Sequence, residues 1–127
     1  TIGRSRGYKL CISLAVYLSV LMLLYTSVNR ALFAYDGVTN RLRLSDSGVG
    51  GVLELASKLH PRRPLYGLCR VEQPGPALSH IVMIIWVGEG VDDYRRAECA
   101  THVPAIRAFF KVKPNTHQMK VLKCSEY

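Results

Sequence analysis

The residue types that most often carry catalysis are present but poorly placed for it. Glu89, Asp92 and Asp93 lie in one short stretch, and paired carboxylates can serve as general acid and base when their environments differ. No neighbouring residue supplies a partner that activates water, and the chain contains neither a nucleophile-elbow nor an HExxH motif. We interpret these acids as helix-starting residues and predict that the chain has no catalytic residue and is not an enzyme.

The sequence also lacks a complete motif for binding a metal or a cofactor. Cys99 and His102 have the spacing of a zinc-ligand pair, but a second pair is missing, since His117 and Cys124 lie too far apart for a standard finger. The glycine-rich run 48–51 lacks the lysine of a phosphate-binding loop, and a tight turn between a strand and a helix explains it. The sequence therefore predicts no metal ligand and no cofactor.

Two adjacent cations remain as candidates for binding. Arg95 and Arg96 fall in the first turns of the last predicted helix, where positive charge opposes the helix dipole, so local stability does not explain them. A site for an acidic protein surface and a solvated helix face both fit. The net charge of +8 is concentrated at the two ends of the chain, and the nearly balanced middle does not favour nucleic-acid binding.

These residues need a scaffold, and the hydrophobic pattern predicts one. It indicates four strands and two helices, the strands at 31–35, 41–44, 65–71 and 80–87 and the helices at 51–60 and 92–111. The last strand, HIVMIIWV, is apolar nearly throughout, as a strand covered on both faces would be. Pro104 lies inside the last helix, where a proline costs about 3 kcal/mol unless a kink accommodates it, so we expect it to interrupt that helix.

Residues 10–28 contain no charge and no amphipathic pattern. As a helix, this stretch would be about 28 Å long, close to the thickness of a bilayer core. A membrane-spanning anchor, a signal peptide and a helix buried against the sheet all fit the composition. Membrane association is therefore left open.

Several ordered blocks resemble the actin-depolymerising factor homology (ADF-H) domain, in the subtype of drebrin and drebrin-like proteins. The blocks ALFAYDG (31–37), SGVGG (47–51) and YGLCRV (66–71) occur in that order. The most specific block is WVGEGV (86–91), followed by the arginine pair and CATHV (99–103). The resemblance extends over residues 31–111.

The resemblance implies an α+β fold, a mixed central sheet flanked by helices, which binds actin without catalysis. In such domains the helix after the tryptophan strand docks against actin, and its basic residues meet acidic groups. By position, the resemblance implies Arg95 and Arg96 as actin-binding residues, with Tyr94, Cys99 and His102 supporting them on the same helix. Tyr94 stands where some relatives have lysine. The expected activity is filament binding without severing, in the cytoplasm at the actin cytoskeleton.

Both ends of the chain depart from the family pattern. An apolar helix is expected within residues 1–28, where the family has a charged first helix, and the basic tail at 113–127 is unassigned. The ADF-H-like part is therefore expected at 29–112, incomplete at both ends. Two alternatives follow: a single-pass membrane protein anchored through residues 10–28 with a degenerate domain, or a translated fragment without function. The expected partner is actin, as filament rather than monomer, and not nucleic acid.

Overall fold

Six strands form one mixed sheet in the computed structural model, which describes residues 9–71, 80–111 and 118–124. The strands are β1 (Cys11–Ile12), β2 (Arg30–Tyr35), β3 (Arg41–Gly48), β4 (Pro64–Val71), β5 (His80–Val87) and β6 (Gln118–Cys124). The helices in the described residues are α1 (Leu14–Tyr25), α2 (Gly51–Ala56) and α3 (Asp93–Lys111). Along the sheet the order is β1-β3-β2-β4-β5-β6. The pairs from β3 to β5 are antiparallel, and the edge strands β1 and β6 pair in parallel with their neighbours.

The inner strands of this sheet are covered on both faces. Every residue of β2 is buried. β5 pairs with β4 over its whole length, from Val87 opposite Pro64 to His80 opposite Val71, and its side chains Ile81, Met83, Ile84 and Ile85 are buried. The predicted strand at 80–87 is therefore confirmed. Its unbroken apolar run agrees with a strand that is covered on both faces.

Helices cover the two faces of the sheet unequally. α1 and α3 share one face, where a single buried cluster joins apolar residues of both helices to the sheet: Val16, Val20 and Leu23 of α1, Ile106 and Phe110 of α3, and Phe33, Tyr66 and Met83 below them. α2 covers the other face through Leu55, which packs with Leu32, Leu65 and Ile84. This arrangement holds the start of α3 beside the turn between β2 and β3.

The apolar stretch at residues 10–28 is divided in the structure. β1 pairs with the start of β3, and α1 follows over 12 residues. The Thr26 N–H donates to the Met22 carbonyl (2.9 Å), and the Arg70 guanidinium donates to carbonyls at and beyond the end of the helix, those of Leu23, Thr26 and Val28. No helix among the described residues is long and apolar enough to cross a bilayer. The alternative of a membrane span over residues 10–28 is therefore not supported.

β3 is longer than the pattern predicts. The predicted strand ends at Leu44, whereas β3 continues through residues 45–48. The buried Arg30 guanidinium lies beside this part of β3 and forms an ion pair with Asp46 (Nη1–Oδ2, 2.8 Å). That charge pair between neighbouring strands stabilises pairing where the residue types alone favour a turn.

α2 is shorter than predicted, because it ends at Ala56 rather than at His60. Residues 57–58 instead form a turn, because the N–H groups of Lys58 and Leu59 donate three residues back, to the carbonyls of Leu55 (3.0 Å) and Ala56 (3.3 Å).

α3 is continuous from Asp93 to Lys111. The prediction that Pro104 interrupts the helix is wrong, since the helix passes through it. Pro104 and Ala100, whose carbonyl loses its helical N–H partner to the proline, both lie on the exposed side of the helix, where water can bind that carbonyl. Residues 118–124, which the sequence left unassigned, form β6 beside β5.

Candidate functional site

The loop between β5 and α3 is packed directly against the segment that follows α2. The Trp86 indole Nε1 donates to the His60 carbonyl (2.8 Å), and the Gly90 N–H donates to the Pro61 carbonyl (2.7 Å). A Cβ on Gly88 would lie 2.1 Å from the same Pro61 oxygen. The glycine at 88 is therefore required by the close approach of two backbones, and this contact fixes where α3 begins.

The first turn of α3 is capped by an aspartate. Asp92 Oδ1 accepts a hydrogen bond from the Arg95 N–H (2.8 Å), and the Asp92 carbonyl accepts one from the Arg96 N–H (2.9 Å). Asp93 adds negative charge to the same turn. These are the groups that a helix N-terminus prefers, so Asp92 and Asp93 have the helix-starting role that was predicted for them. Glu89 does not, since it lies in the loop before the helix.

Arg95 joins α3 to the turn between β2 and β3. Its guanidinium donates to Asn40 Oδ1 (2.7 Å) and to the Thr39 carbonyl (2.6 Å), and it pairs with Glu98 Oε1 (3.1 Å). The guanidinium carbon lies 4.3 Å from the centre of the Tyr35 ring. Only 14% of the side chain is exposed. The guanidinium of Arg95, the first cation of the predicted pair, therefore makes its hydrogen bonds within the domain.

Arg96 and Tyr94 lie nearer the solvent. Arg96 Nη2 donates to the carbonyls of Gly88 (2.9 Å) and Val91 (3.4 Å), so one guanidinium nitrogen holds the loop. Its remaining N–H groups have no hydrogen-bond partner among the described residues. Tyr94 is 67% exposed. This helical turn thus presents an aromatic ring and part of a guanidinium on a fixed backbone.

Cys99 and His102 lie on the opposite, buried side of α3, each about 1% exposed. The Tyr35 hydroxyl lies 2.7 Å from the Tyr66 hydroxyl and 2.7 Å from His102 Nδ1. These three side chains form a buried hydrogen-bonded cluster beside the Arg95 guanidinium, which lies over the Tyr35 ring. Burial raises the pKa of the Cys99 thiol, which keeps it protonated and unreactive. A partner cannot touch these two side chains in this structure, so any role they have is to position the helix.

A groove of about 470 Å³ lies beside this turn. Four segments form its walls: the turn after β2, residues 62–64, the loop after β5, and the first turn of α3. Its lining includes Tyr35, Val38, Arg62, Arg63 and Tyr94. Arg62 and Arg63 were not among the predicted site residues, although two adjacent cations between Pro61 and Pro64 are visible in the sequence.

Comparison with known sequences places the chain in a family. Residues 21–125 match the family model of the cofilin/tropomyosin-type actin-binding proteins. Drebrin-like protein B of Xenopus laevis is 36% identical over 113 residues, which cover 79% of this chain and 30% of that protein. The chain spans less than a third of the length of the drebrin-like relatives that it matches.

Comparison with solved structures gives the same fold. The cofilin homology domain of a yeast actin-binding protein superimposes with a TM-score of 0.76 at 13% identity, covering 94% of this chain and 90% of that one. Mouse coactosin, described as an actin filament binding protein, superimposes with a TM-score of 0.69 at 19% identity, covering 91% and 80%. The predicted α+β class, a mixed sheet flanked by helices, is confirmed. The chain belongs to the cofilin/tropomyosin-type actin-binding protein family, as an ADF-H domain of the drebrin-like type.

Proposed function

We propose that this chain binds actin filaments without severing them and without enzymatic activity, through the surface at the N-terminal end of α3. Membership of an actin-binding family supports the partner. The description of mouse coactosin as a filament-binding protein and the drebrin-like character of the sequence support the filament as its form. A cytoplasmic location at the actin cytoskeleton follows from that partner.

One observation carries the choice of surface. The exposed Tyr94 and the partly engaged Arg96 lie on a helical turn whose backbone is held by the Asp92 cap, by the Arg95 contacts and by the packed loop at Gly88. A surface that is already ordered loses little conformational entropy when a partner binds. An aromatic ring beside a guanidinium is also the composition that dominates binding energy at protein interfaces.

The five residues predicted from the family resemblance therefore divide into two roles. Tyr94 and Arg96 contact actin directly in this proposal. Arg95, Cys99 and His102 position the helix, because their polar groups are engaged or buried inside the domain.

The proposal is tested by co-sedimentation with actin filaments over a range of filament concentrations. We expect Tyr94→Ala combined with Arg96→Glu to weaken binding by about tenfold or more, since contacts of this kind contribute about 1–2 kcal/mol each when partly desolvated. The matched control is Arg107→Glu, an exposed charge about 16 Å further along α3 at about 1.5 Å per residue. The control should bind within about twofold of wild type by the same reasoning. Equal binding by the double variant and wild type would contradict the proposed surface.

The absence of severing is tested separately by imaging fluorescent filaments on a surface. We expect the number of filament breaks per unit time to stay at the level of filaments without added protein. A rising break rate with increasing chain concentration would contradict this part of the proposal and leave filament binding intact.

A further inference from the structure

A second arginine pair lines the same groove as the first turn of α3. Arg62 and Arg63 are exposed and line the groove together with Tyr94. Neither side chain makes a hydrogen bond or an ion pair with any described residue. They differ in this from Arg95, whose donors are taken up by Thr39, Asn40 and Glu98.

The backbone that carries this pair is fixed. The Arg62 N–H donates to His60 Nδ1 (3.0 Å), and the Arg63 N–H donates to the His60 carbonyl (3.2 Å). On the other side, the Pro61 carbonyl accepts the Gly90 N–H (2.7 Å). The two arginines therefore project from a segment that is tied to the loop before α3, on the same rigid frame as Tyr94.

The charges around the groove are not balanced. Its lining contains two carboxylates, and both have partners within the fold: Asp92 caps α3, and Glu98 pairs with Arg95. The positive charges of Arg62 and Arg63 have no such partner among the described residues. A guanidinium binds a carboxylate with two parallel hydrogen bonds, which gives this kind of site both affinity and orientation.

We propose that Arg62 and Arg63 form, with Tyr94, a docking site for a carboxylate-bearing segment of the actin surface. The carboxylates pair with the two guanidinium groups, and apolar parts of the segment pack on Tyr94 and Val38, two exposed side chains that also line the groove. This inference rests on the proposed function, and it extends the actin-binding surface from α3 across the groove to a second element of the fold.

The test compares two variants that each lose two positive charges. Arg62→Gln with Arg63→Gln removes the proposed pair, and Lys58→Gln with Arg107→Gln removes two exposed charges that do not line the groove. Both are assayed by co-sedimentation with actin filaments at low and high salt, beside wild type. Urea unfolding of each variant establishes that it is folded. We expect the groove variant to bind at least about fivefold more weakly than wild type at low salt and the control to bind within about twofold. The difference should shrink at high salt, because screening weakens exposed charge pairs.

The outcomes separate this inference from the proposed function. If wild type pellets with filaments and the two double variants bind equally well, or equally poorly, the proposed docking site is wrong. Actin binding by the chain is unaffected by that result. If wild type stays in the supernatant, both the proposed function and this inference are wrong.

A third double variant, Arg62→Lys with Arg63→Lys, keeps the charge but not the two-bond geometry. Its binding should fall between that of the glutamine variant and that of wild type, and binding as weak as that of the glutamine variant would overturn the role of charge.

Discussion

At the scale of single residues, Arg95 was predicted to bind a partner, but its side chain makes its contacts within the domain. It lies on the Tyr35 ring and donates to the turn between β2 and β3 through Thr39 and Asn40. Arg62 has the opposite character, since it is exposed and its side chain has no partner among the described residues. Two arginines that line the same groove therefore have different roles: Arg95 stabilises the fold, and Arg62 is available to a partner.

We expect Arg95→Lys to destabilise the domain by about 1–3 kcal/mol, because a lysine cannot make the forked hydrogen bonds to Thr39 and Asn40. The measurement is the free energy of unfolding in urea. Arg107→Lys, an exposed arginine on the same helix, is the matched control and should change stability by less than about 0.5 kcal/mol. Equal effects of the two substitutions would show that the Arg95 contacts do not stabilise the fold.

The ion pair of Arg30 with Asp46 predicts how stability depends on acid. The hydrogen bond from the Arg30 guanidinium holds the pKa of Asp46 below its usual range. An aspartate in an unfolded chain has a pKa near 3.9, so the contribution of Asp46 is complete above that pH. It is lost as the pH falls through the lower pKa of the folded state.

We therefore expect the free energy of unfolding of wild type to fall as the pH is lowered below about 4. Asp46→Asn should be less stable at neutral pH and lose less stability over that acid range. Asp36→Asn, which removes only a long, exposed contact with Arg43 (3.8 Å), should keep the acid dependence of wild type. An unchanged acid dependence in Asp46→Asn would contradict the role of the pair.

At the scale of elements, α1 forms part of the core of the domain through one face. Val16, Val20 and Leu23 are buried against the sheet, whereas Leu18 on the outer face is 49% exposed. The Arg70 side chain binds carbonyls at the end of this helix. These contacts explain how an uncharged helix can belong to the domain without a polar face.

We expect Leu23→Ala to cost about 2–4 kcal/mol, because it leaves a cavity between α1 and the sheet. Leu18→Ala removes the same atoms from the exposed face of the same helix and should cost less than about 1 kcal/mol. Urea unfolding of the two variants gives the comparison. Similar losses in both would mean that α1 does not pack on the sheet as described.

The sequence predicted elements whose own residues determine them. The unbroken apolar run of β5 and the acids before α3 required no knowledge of distant contacts. The extension of β3 to Gly48 depends on Arg30 in another strand, and the engagement of Arg95 depends on a turn more than fifty residues away. Arg62 and Arg63 were not predicted for the same reason, because only the fold brings them to the groove that Tyr94 also lines.

At the scale of the whole molecule, the sheet brings three distant parts of the chain to one end. The turn after β2, the segment before β4 and the start of α3 meet around the groove. Each is held by backbone or buried polar contacts, while Tyr94, Arg62 and Arg63 face outward. This division between a fixed frame and exposed side chains is what an interaction module needs, and it agrees with membership of an actin-binding family.

We propose that this chain binds actin filaments through that end of the molecule. The most direct test is co-sedimentation of the unmodified chain with increasing amounts of actin filaments, at low and high salt, beside tubes without filaments. We predict pelleting that requires filaments, saturates, and weakens as salt is raised, because exposed arginines contribute to the interface. Filament binding would be contradicted if the chain stayed in the supernatant at every filament concentration, or if it pelleted equally without filaments.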